Sequence, residues 1–134
     1  MSDMENSDSA QLGGHAFQQI AVTTKDLPRA ITFYRNVLGL KMLFESNNMA
    51  FFDVGGVRLM IGLDRSRPAA RPTSVLYFDA PEFLATRSKL KALGVPFEDG
   101  IETVDRKANA ELNLQQFTDP DGNALAVMGW AKRS

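Results

Sequence analysis

The chain of 134 residues contains no cysteine and a single histidine, His15. Without cysteine it has no disulfide framework, no thiolate nucleophile and no sulfur-ligated zinc site. With one histidine, a two-histidine metal site within one chain is excluded, and Ser74 has no neighbouring histidine to serve as the base that a nucleophile needs. We therefore expect no catalytic group built on these residue types.

The chain also lacks an excess of charge of either sign and any long apolar run. Fifteen basic and sixteen acidic residues leave a net charge of -1, which gives no attraction for nucleic acid or an anionic membrane. No apolar run approaches the roughly 20 residues that span a bilayer, and the polar first residues do not resemble a secretion signal. The composition, 44% hydrophobic and 23% charged, predicts one soluble globular domain in the cytoplasm.

One pattern occurs twice along the chain. A strand-like segment at 19–22, followed by Asp26, recurs at 74–77, followed by Asp79, so that the first strands lie 55 residues apart. Each copy continues with a helical stretch that ends at a leucine-glycine pair and then with strands around a glycine-centred hairpin. A fixed internal repeat dictates architecture, and two copies predict an α+β fold of paired modules with a cleft between them.

The repeat divides the chain into parts. Residues 1–14 contain little apolar content to offset the entropy of ordering them, and we expect a disordered tail. Residues 15–134 form a single domain, with module one at 15–64 and module two at 73–131. The intervening segment 65–72 is rich in arginine and proline and reads as a linker.

Turn and cap residues predict the elements of each module. In module one, Asp26 or Thr24 caps a helix that runs to about Leu38, and the pairs Asn47-Asn48 and Gly55-Gly56 separate three strands between 41 and 63. In module two we expect a helix at about 80–93 and strands near 73–78, 97–102, 111–118 and 123–130. The sequence Asp119-Pro120-Asp121-Gly122 is typical of a type I turn that closes the last hairpin.

Strand side chains alternate between the two faces of a sheet, so each strand has a core set and a cleft set. We expect the uniformly apolar sets to lie under the helices, namely Ile20, Val22, Leu59, Ile61, Val75, Tyr77, Leu125 and Val127. The opposite sets then face the cleft, and they include Gln19, Ala21, Arg58, Met60, Ser74, Leu76, Phe78, Ala126 and Met128. A mostly apolar surface with a few polar side chains is typical of a small-molecule site.

The motifs together resemble a known family. The run from Phe33 to Leu40, the Gly-Val-Arg-Leu hairpin at 56–59 and the run from Phe117 to Asn123 are similar to the vicinal oxygen chelate superfamily over about residues 16–130. That superfamily includes glyoxalase I, bleomycin-resistance proteins, fosfomycin-resistance enzymes and extradiol dioxygenases. The resemblance implies two βαβββ modules forming a cupped mixed sheet around a cleft, and a homodimer.

The resemblance also implies where a metal would bind. Family enzymes hold a divalent ion from the cleft face of four strands, at positions that fall here on Gln19, Met60, Ser74 and Ala126. None of these is histidine, aspartate or glutamate, the residues that usual divalent ions prefer. We therefore expect no metal, no other cofactor and no catalytic residue.

The sequence leaves three functions open. The first is metal-free binding of a small apolar or aromatic molecule, such as sequestration of a drug or metabolite, in which Gln19 and Ser74 donate or accept hydrogen bonds and Arg58 meets an anionic or carbonyl group. The apolar contacts in this hypothesis come from Met60, Leu76, Phe78, Ala126 and Met128. The alternative is a metal-dependent lyase, isomerase or dioxygenase of glyoxalase type with an atypical ligand set. The third is a structural domain whose paired sheets form a protein interface.

Overall fold

A computed structural model of the chain describes residues 11–66, 74–97 and 100–132. The expected tail at 1–14 lies outside the described residues up to residue 10, and the expected linker at 65–72 lies outside them from residue 67 onward. The homodimer stays a prediction, since the structure contains one chain.

Each half of the chain folds as a strand, a helix and three further strands. The first half contains β1 (Gln19–Thr24), α1 (Leu27–Ile31) continued by a π-helical segment (Thr32–Val37), β2 (Lys41–Ser46), β3 (Met49–Val54) and β4 (Val57–Leu63). The second half contains β5 (Val75–Asp79), α2 (Phe83–Ala92), β6 (Glu102–Lys107), β7 (Ala110–Thr118) and β8 (Ala124–Lys132). Within the described part of the chain, no helix has the length and apolar character required to cross a bilayer.

The strands form two four-stranded sheets of equivalent topology. The first has the order β1-β4-β3-β2 and the second the order β5-β8-β7-β6. The pairs β1/β4 and β5/β8 are parallel, and the other neighbours are antiparallel. The predicted α+β architecture of two βαβββ modules is confirmed.

Local chemistry explains the ends of the elements in module one. The side chain of Asp26 accepts a hydrogen bond from the backbone N–H of Arg29 at 3.1 Å and so caps α1, as predicted. Asn47 and Asn48 have φ angles of 52° and 62°, the left-handed conformation that a two-residue hairpin requires. The two glycines of the turn between β3 and β4, Gly55 and Gly56, also have positive φ angles. Both predicted hairpins are therefore confirmed.

The predicted strand at 97–102 is wrong, because β6 begins only at Glu102. The residues before it form a loop that covers the hydrophobic core. Val95 is buried, and the ring of Phe97 packs edge-on against Phe117 with centroids 5.7 Å apart. These apolar side chains resembled a strand in the sequence because a loop that covers a core needs the same residue types.

The helix of module two lies very close to β8. The backbone N–H of Ala80 donates to the carbonyl of Met128 at 2.7 Å, and a Cβ added to Gly129 would overlap the carbonyl oxygen of Ala80. Only a residue without a side chain fits there. This contact fixes which face of β8 lies under the helix: Leu125 and Val127 point toward the helix, while Ala126 and Met128 point away.

One buried hydrogen bond joins the two modules. The hydroxyl of Tyr34, fully buried in the π-helical segment, donates to Oδ2 of Asp119 at 2.6 Å. Asp119 also accepts from the backbone N–H groups of Asp121 and Asn123 at 2.9 Å each and from the Asn123 amide at 2.8 Å. The Asp-Pro-Asp-Gly turn of module two is thereby fastened to the first helix of module one.

The second aspartate of that turn strengthens the same contact. Asp121 accepts from the hydroxyl of Thr24 at 2.5 Å, from the backbone N–H of Lys25 at 2.9 Å and from the guanidinium of Arg29 at 2.9 Å. We call this set the inter-module joint, and it consists of Thr24, Arg29, Tyr34, Asp119 and Asp121. Its bonds use charged acceptors, and the two carboxylates are buried although Arg29 is half exposed; charge-assisted hydrogen bonds of this kind are stronger than neutral ones.

The environment of the joint raises the pKa of its tyrosine, Tyr34. Burial raises the pKa of Tyr34 far above its ordinary value, and the charge and hydrogen bond of Asp119, with the charge of Asp121, raise it further. The phenol therefore keeps its proton in the folded protein.

The substitution Tyr34→Phe tests the joint. Removing the hydroxyl leaves the buried carboxylate of Asp119 without one donor, and we expect the free energy of unfolding to fall by about 1–3 kcal/mol. Urea unfolding measures it. The chain offers a matched control in its other tyrosine, Tyr77, which is 51% exposed and whose hydroxyl makes no hydrogen bond with the described residues. We expect Tyr77→Phe to change stability by less than about 0.5 kcal/mol; equal effects of the two substitutions would contradict the account.

The raised pKa of Tyr34 predicts a pH dependence. Above the unfolded tyrosine pKa of about 10, the unfolded chain loses this proton while the folded chain keeps it, so the unfolded state binds fewer protons and stability falls with rising pH. The stability advantage of the wild type over Tyr34→Phe should be constant between about pH 7 and 9 and shrink by up to about 1.4 kcal/mol per pH unit above 10. Urea unfolding of both proteins across this range checks it, and an advantage that persists unchanged to pH 11 would refute it.

Candidate functional site

A cavity of about 1030 Å³ lies between the modules, where the edge strands β1 and β5 face each other. We call it the seam cavity. Its lining is mixed in polarity and includes Ala21, Thr23, Ser74, Val75, Tyr77 and Asn123. Its size is that of a small-molecule site. The joint closes one side of it, because Arg29 and Asp121 also line the cavity.

Beside the cavity lies the face of the first sheet that points away from the helices, which we call its open face. Directly paired residues on neighbouring strands share a face, and the pairing places Gln19 beside Arg58 and Ala21 beside Met60. Nε of Arg58 donates to the amide oxygen of Gln19 at 2.8 Å, and the amide nitrogen of Gln19 lies 3.9 Å from the sulfur of Met60. Gln19 therefore contacts both Arg58 and Met60, and all three were predicted to bind the small molecule.

The rings of two phenylalanines pack beside this cluster of side chains. Phe51 pairs with Met60 across β3 and β4, and its ring centroid lies 5.1 Å from the guanidinium carbon of Arg58. Phe44 stacks on Phe51 with centroids 4.5 Å apart. The guanidinium is thus held by an amide on one side and a ring on another, a favourable cation–π arrangement. The sequence did not predict the two phenylalanines as part of the site.

On β5 the predicted assignment of faces is wrong by one residue. Leu76 and Phe78 pack against the hydrophobic core, whereas Tyr77 pairs with Ala126 on the open face of the second sheet and Val75 pairs with Ala124. Alternation gave no signal here because Val75 to Phe78 are all apolar. Distance from the helix was the usable signal, since Gln19 precedes Leu27 by eight residues and Val75 precedes Phe83 by the same number.

The predicted ligand residues fall into two groups. Ser74, Leu76 and Phe78 line the seam cavity, although the last two belong to the core side. The others lie on the open faces outside the cavity lining, and they are Gln19, Arg58, Met60, Ala126 and Met128. Ala126 is fully buried, so its side chain exposes almost no surface that a ligand could contact. Contact of any of these residues with a ligand stays a prediction.

Comparison with known proteins places this fold in a family. The sequence model of the glyoxalase/bleomycin resistance protein/dioxygenase superfamily matches residues 16–127. The chain belongs to this superfamily. The sequence resemblance is thus confirmed over nearly the whole described domain.

Individual relatives span several activities. The chain is 30% identical over 113 residues to the metallothiol transferase FosB of Lysinibacillus sphaericus, an alignment that covers 81% of this chain and 77% of that protein. Among solved structures it is similar to lactoylglutathione lyase from Agrobacterium tumefaciens, with a TM-score of 0.68, 22% identity and coverage of 86% and 93%. A glyoxalase family protein from Enterococcus faecalis gives a TM-score of 0.72 at 20% identity, with coverage of 86% and 98%. At these identities the structural likeness shows the fold alone.

The residues at the superfamily's metal positions do not fit a divalent ion. The amide oxygen of Gln19 already accepts from the guanidinium of Arg58, whose charge would repel a cation placed beside it. Met60 and Ala126 offer no oxygen or nitrogen, and the register gives the position equivalent to Gln19 to Val75 in place of Ser74. Within the described ranges, no group of three histidine, cysteine, aspartate or glutamate residues is arranged to hold an ion.

This mismatch predicts that divalent ions do not stabilise the protein. We expect Mn²⁺ and Zn²⁺ to leave the melting temperature of the untagged protein unchanged, because only an ion bound to the folded state raises it. Differential scanning calorimetry measures this. The variant His15→Ala is the control, since it removes the one imidazole without touching the cleft. A saturable rise that persists in this variant would show that the folded protein binds the ion without the imidazole and would contradict the prediction.

Proposed function

We propose that the protein binds a small, largely apolar or aromatic molecule in the seam cavity and on the adjoining open face, without a metal ion at the superfamily's ligand positions. The observation that supports this most is the Gln19–Arg58 pair, with an N–O distance of 2.8 Å. In this pair the amide oxygen of Gln19, at one of the positions that the superfamily resemblance assigns to a metal ligand, is already engaged by a protein cation. In this proposal, the group that contacts the ligand is a side chain of the protein and not a metal ion.

The lining of the cavity supports an apolar guest. Ala21, Val75 and Tyr77 offer small or flat apolar surfaces at the seam, and Tyr77 is half exposed and available for stacking. Thr23 and Ser74 add hydroxyl groups that can orient a polar substituent. Sequestration of a drug or metabolite needs binding alone and is the role that this composition favours.

The relative named as a metallothiol transferase favours a second candidate, a metal-dependent enzyme of the kind that its name describes. The donor set of this chain does not support it. Side chains that could serve as ligands are replaced by a thioether, a methyl group and an isopropyl group at Met60, Ala126 and Val75. Binding without a metal is therefore the stronger proposal.

A ligand screen tests the proposed function. Antibiotics, aromatic acids and α-oxo compounds are added to the wild type and to Ala21→Phe, which fills the cavity mouth on β1. A true ligand should stabilise the wild type by about 2.7 kcal/mol at 100 times its Kd and should bind the variant at least about tenfold more weakly.

The matched control for that screen is Ala92→Phe, which adds the same ring on an exposed position of α2 away from the cavity lining. It should bind ligands like the wild type. If no compound raises the melting temperature, or if ligands bind Ala21→Phe as tightly as Ala92→Phe, binding in the seam cavity is refuted.

A further inference from the structure

Arg58 is held in place before any ligand arrives. Its Nε donates to Gln19 at 2.8 Å, and its guanidinium carbon lies 5.1 Å from the ring centroid of Phe51. Phe51 is itself buried and stacked against Phe44 at 4.5 Å. A long side chain fixed at two points loses less conformational freedom on binding, which increases affinity for whatever it recognises.

The fixed guanidinium still has donors to offer. Its two terminal NH₂ groups make no hydrogen bond with any residue that the structure describes, since the Gln19 contact uses Nε alone. A planar fork of N–H donors matches the two oxygens of a carboxylate. The side chain thus presents an unused anion-recognising edge on the open face.

The carboxylate that lies opposite Arg58 in the sheet does not use this edge. Asp53 lies directly opposite Arg58 on β3, but its Oδ1 accepts from the backbone N–H of Gly56 at 3.3 Å, and no ion pair joins it to Arg58 among the described residues. Lys41 lies opposite Asp53 on β2 and adds a second positive charge to the same row. The row of Lys41, Asp53 and Arg58 therefore has a net positive charge, which favours an anion.

The anion-recognising edge adjoins the seam cavity. Ala21 lines the cavity and lies two residues from Gln19 on the same face of β1, a separation of about 7 Å in an extended strand. One small molecule can therefore place an apolar body in the cavity and a charged end at Arg58.

We infer that the ligand is a carboxylic acid with an aromatic or apolar body, whose carboxylate binds the guanidinium of Arg58 with Gln19 as its positioning residue. This inference rests on the proposed function and narrows it to one chemical class. The protein's own guanidinium, bonded to the residue at one of the superfamily's metal-ligand positions, supplies the positive charge.

The acid 2-naphthoate and its neutral analogue 2-naphthamide test the inference, because they share a ring system and differ in charge. Isothermal titration calorimetry should show the acid binding the wild type about 10- to 100-fold more tightly than the amide, as expected for a charge-assisted hydrogen-bonded pair. In Arg58→Gln the preference should disappear. In Arg58→Lys it should be intermediate, because the charge is kept and the fork is lost.

The matched control is Arg35→Gln, which removes an exposed arginine that contacts Asn36 and Met42 on the helical side. It should keep the full preference for the acid. The readout is the ratio of two affinities within one variant, so a general loss of stability does not imitate the result.

Equal binding of acid and amide to the wild type, or an acid preference that survives in Arg58→Gln, overturns the inference while leaving apolar binding in the cavity intact. Failure of both naphthalene probes to bind also overturns it. The ligand screen with Ala21→Phe then decides separately whether the proposed function stands.

Discussion

The hydrogen bond between Tyr34 and Asp119 is the constraint on which the arrangement of the two modules depends. Each module has its own sheet, and within the described residues no strand of one pairs with a strand of the other. The joint supplies the specific polar contact between them, at 2.6 Å and fully buried on the tyrosine side. Because the joint holds the two modules together and its residues Arg29 and Asp121 line the seam cavity, the shape of the cavity depends on the joint.

The open face of the first sheet shows how one fold supports different chemistry. A superfamily site that binds a divalent ion needs several anionic or imidazole ligands converging on one point. Here the residue at one of those ligand positions, Gln19, instead accepts a hydrogen bond from Arg58, whose guanidinium also lies over the Phe51 ring. A cation that belongs to the protein cannot leave or be chelated, and its N–H groups bind hydrogen-bond acceptors, of which anions are the strongest. The proposed ligand class follows from this replacement, since fold alone does not determine function.

The internal repeat and the turn residues predicted paired α+β modules, because asparagine and glycine are the residues that accept the positive φ of tight hairpins; the βαβββ arrangement came from the family resemblance. The open face of β1 and β4 was also predicted, since apolar and polar residues alternate clearly there. On β5 the apolar run from Val75 to Phe78 gives no such alternation, and the assignment failed. The joint was invisible in the sequence because Tyr34 and Asp119 are 85 residues apart and Asp119 has an adequate local explanation as a turn residue.

A crystal structure of the protein grown with both Mn²⁺ and 2-naphthoate compares the two possible occupants of the site directly. The account predicts the carboxylate within hydrogen-bond distance of the Arg58 guanidinium, the rings in the seam cavity, and no anomalous manganese signal between the modules. An ion coordinated by protein oxygen or nitrogen atoms between β1 and β8, with the naphthoate absent or bound elsewhere, would contradict it.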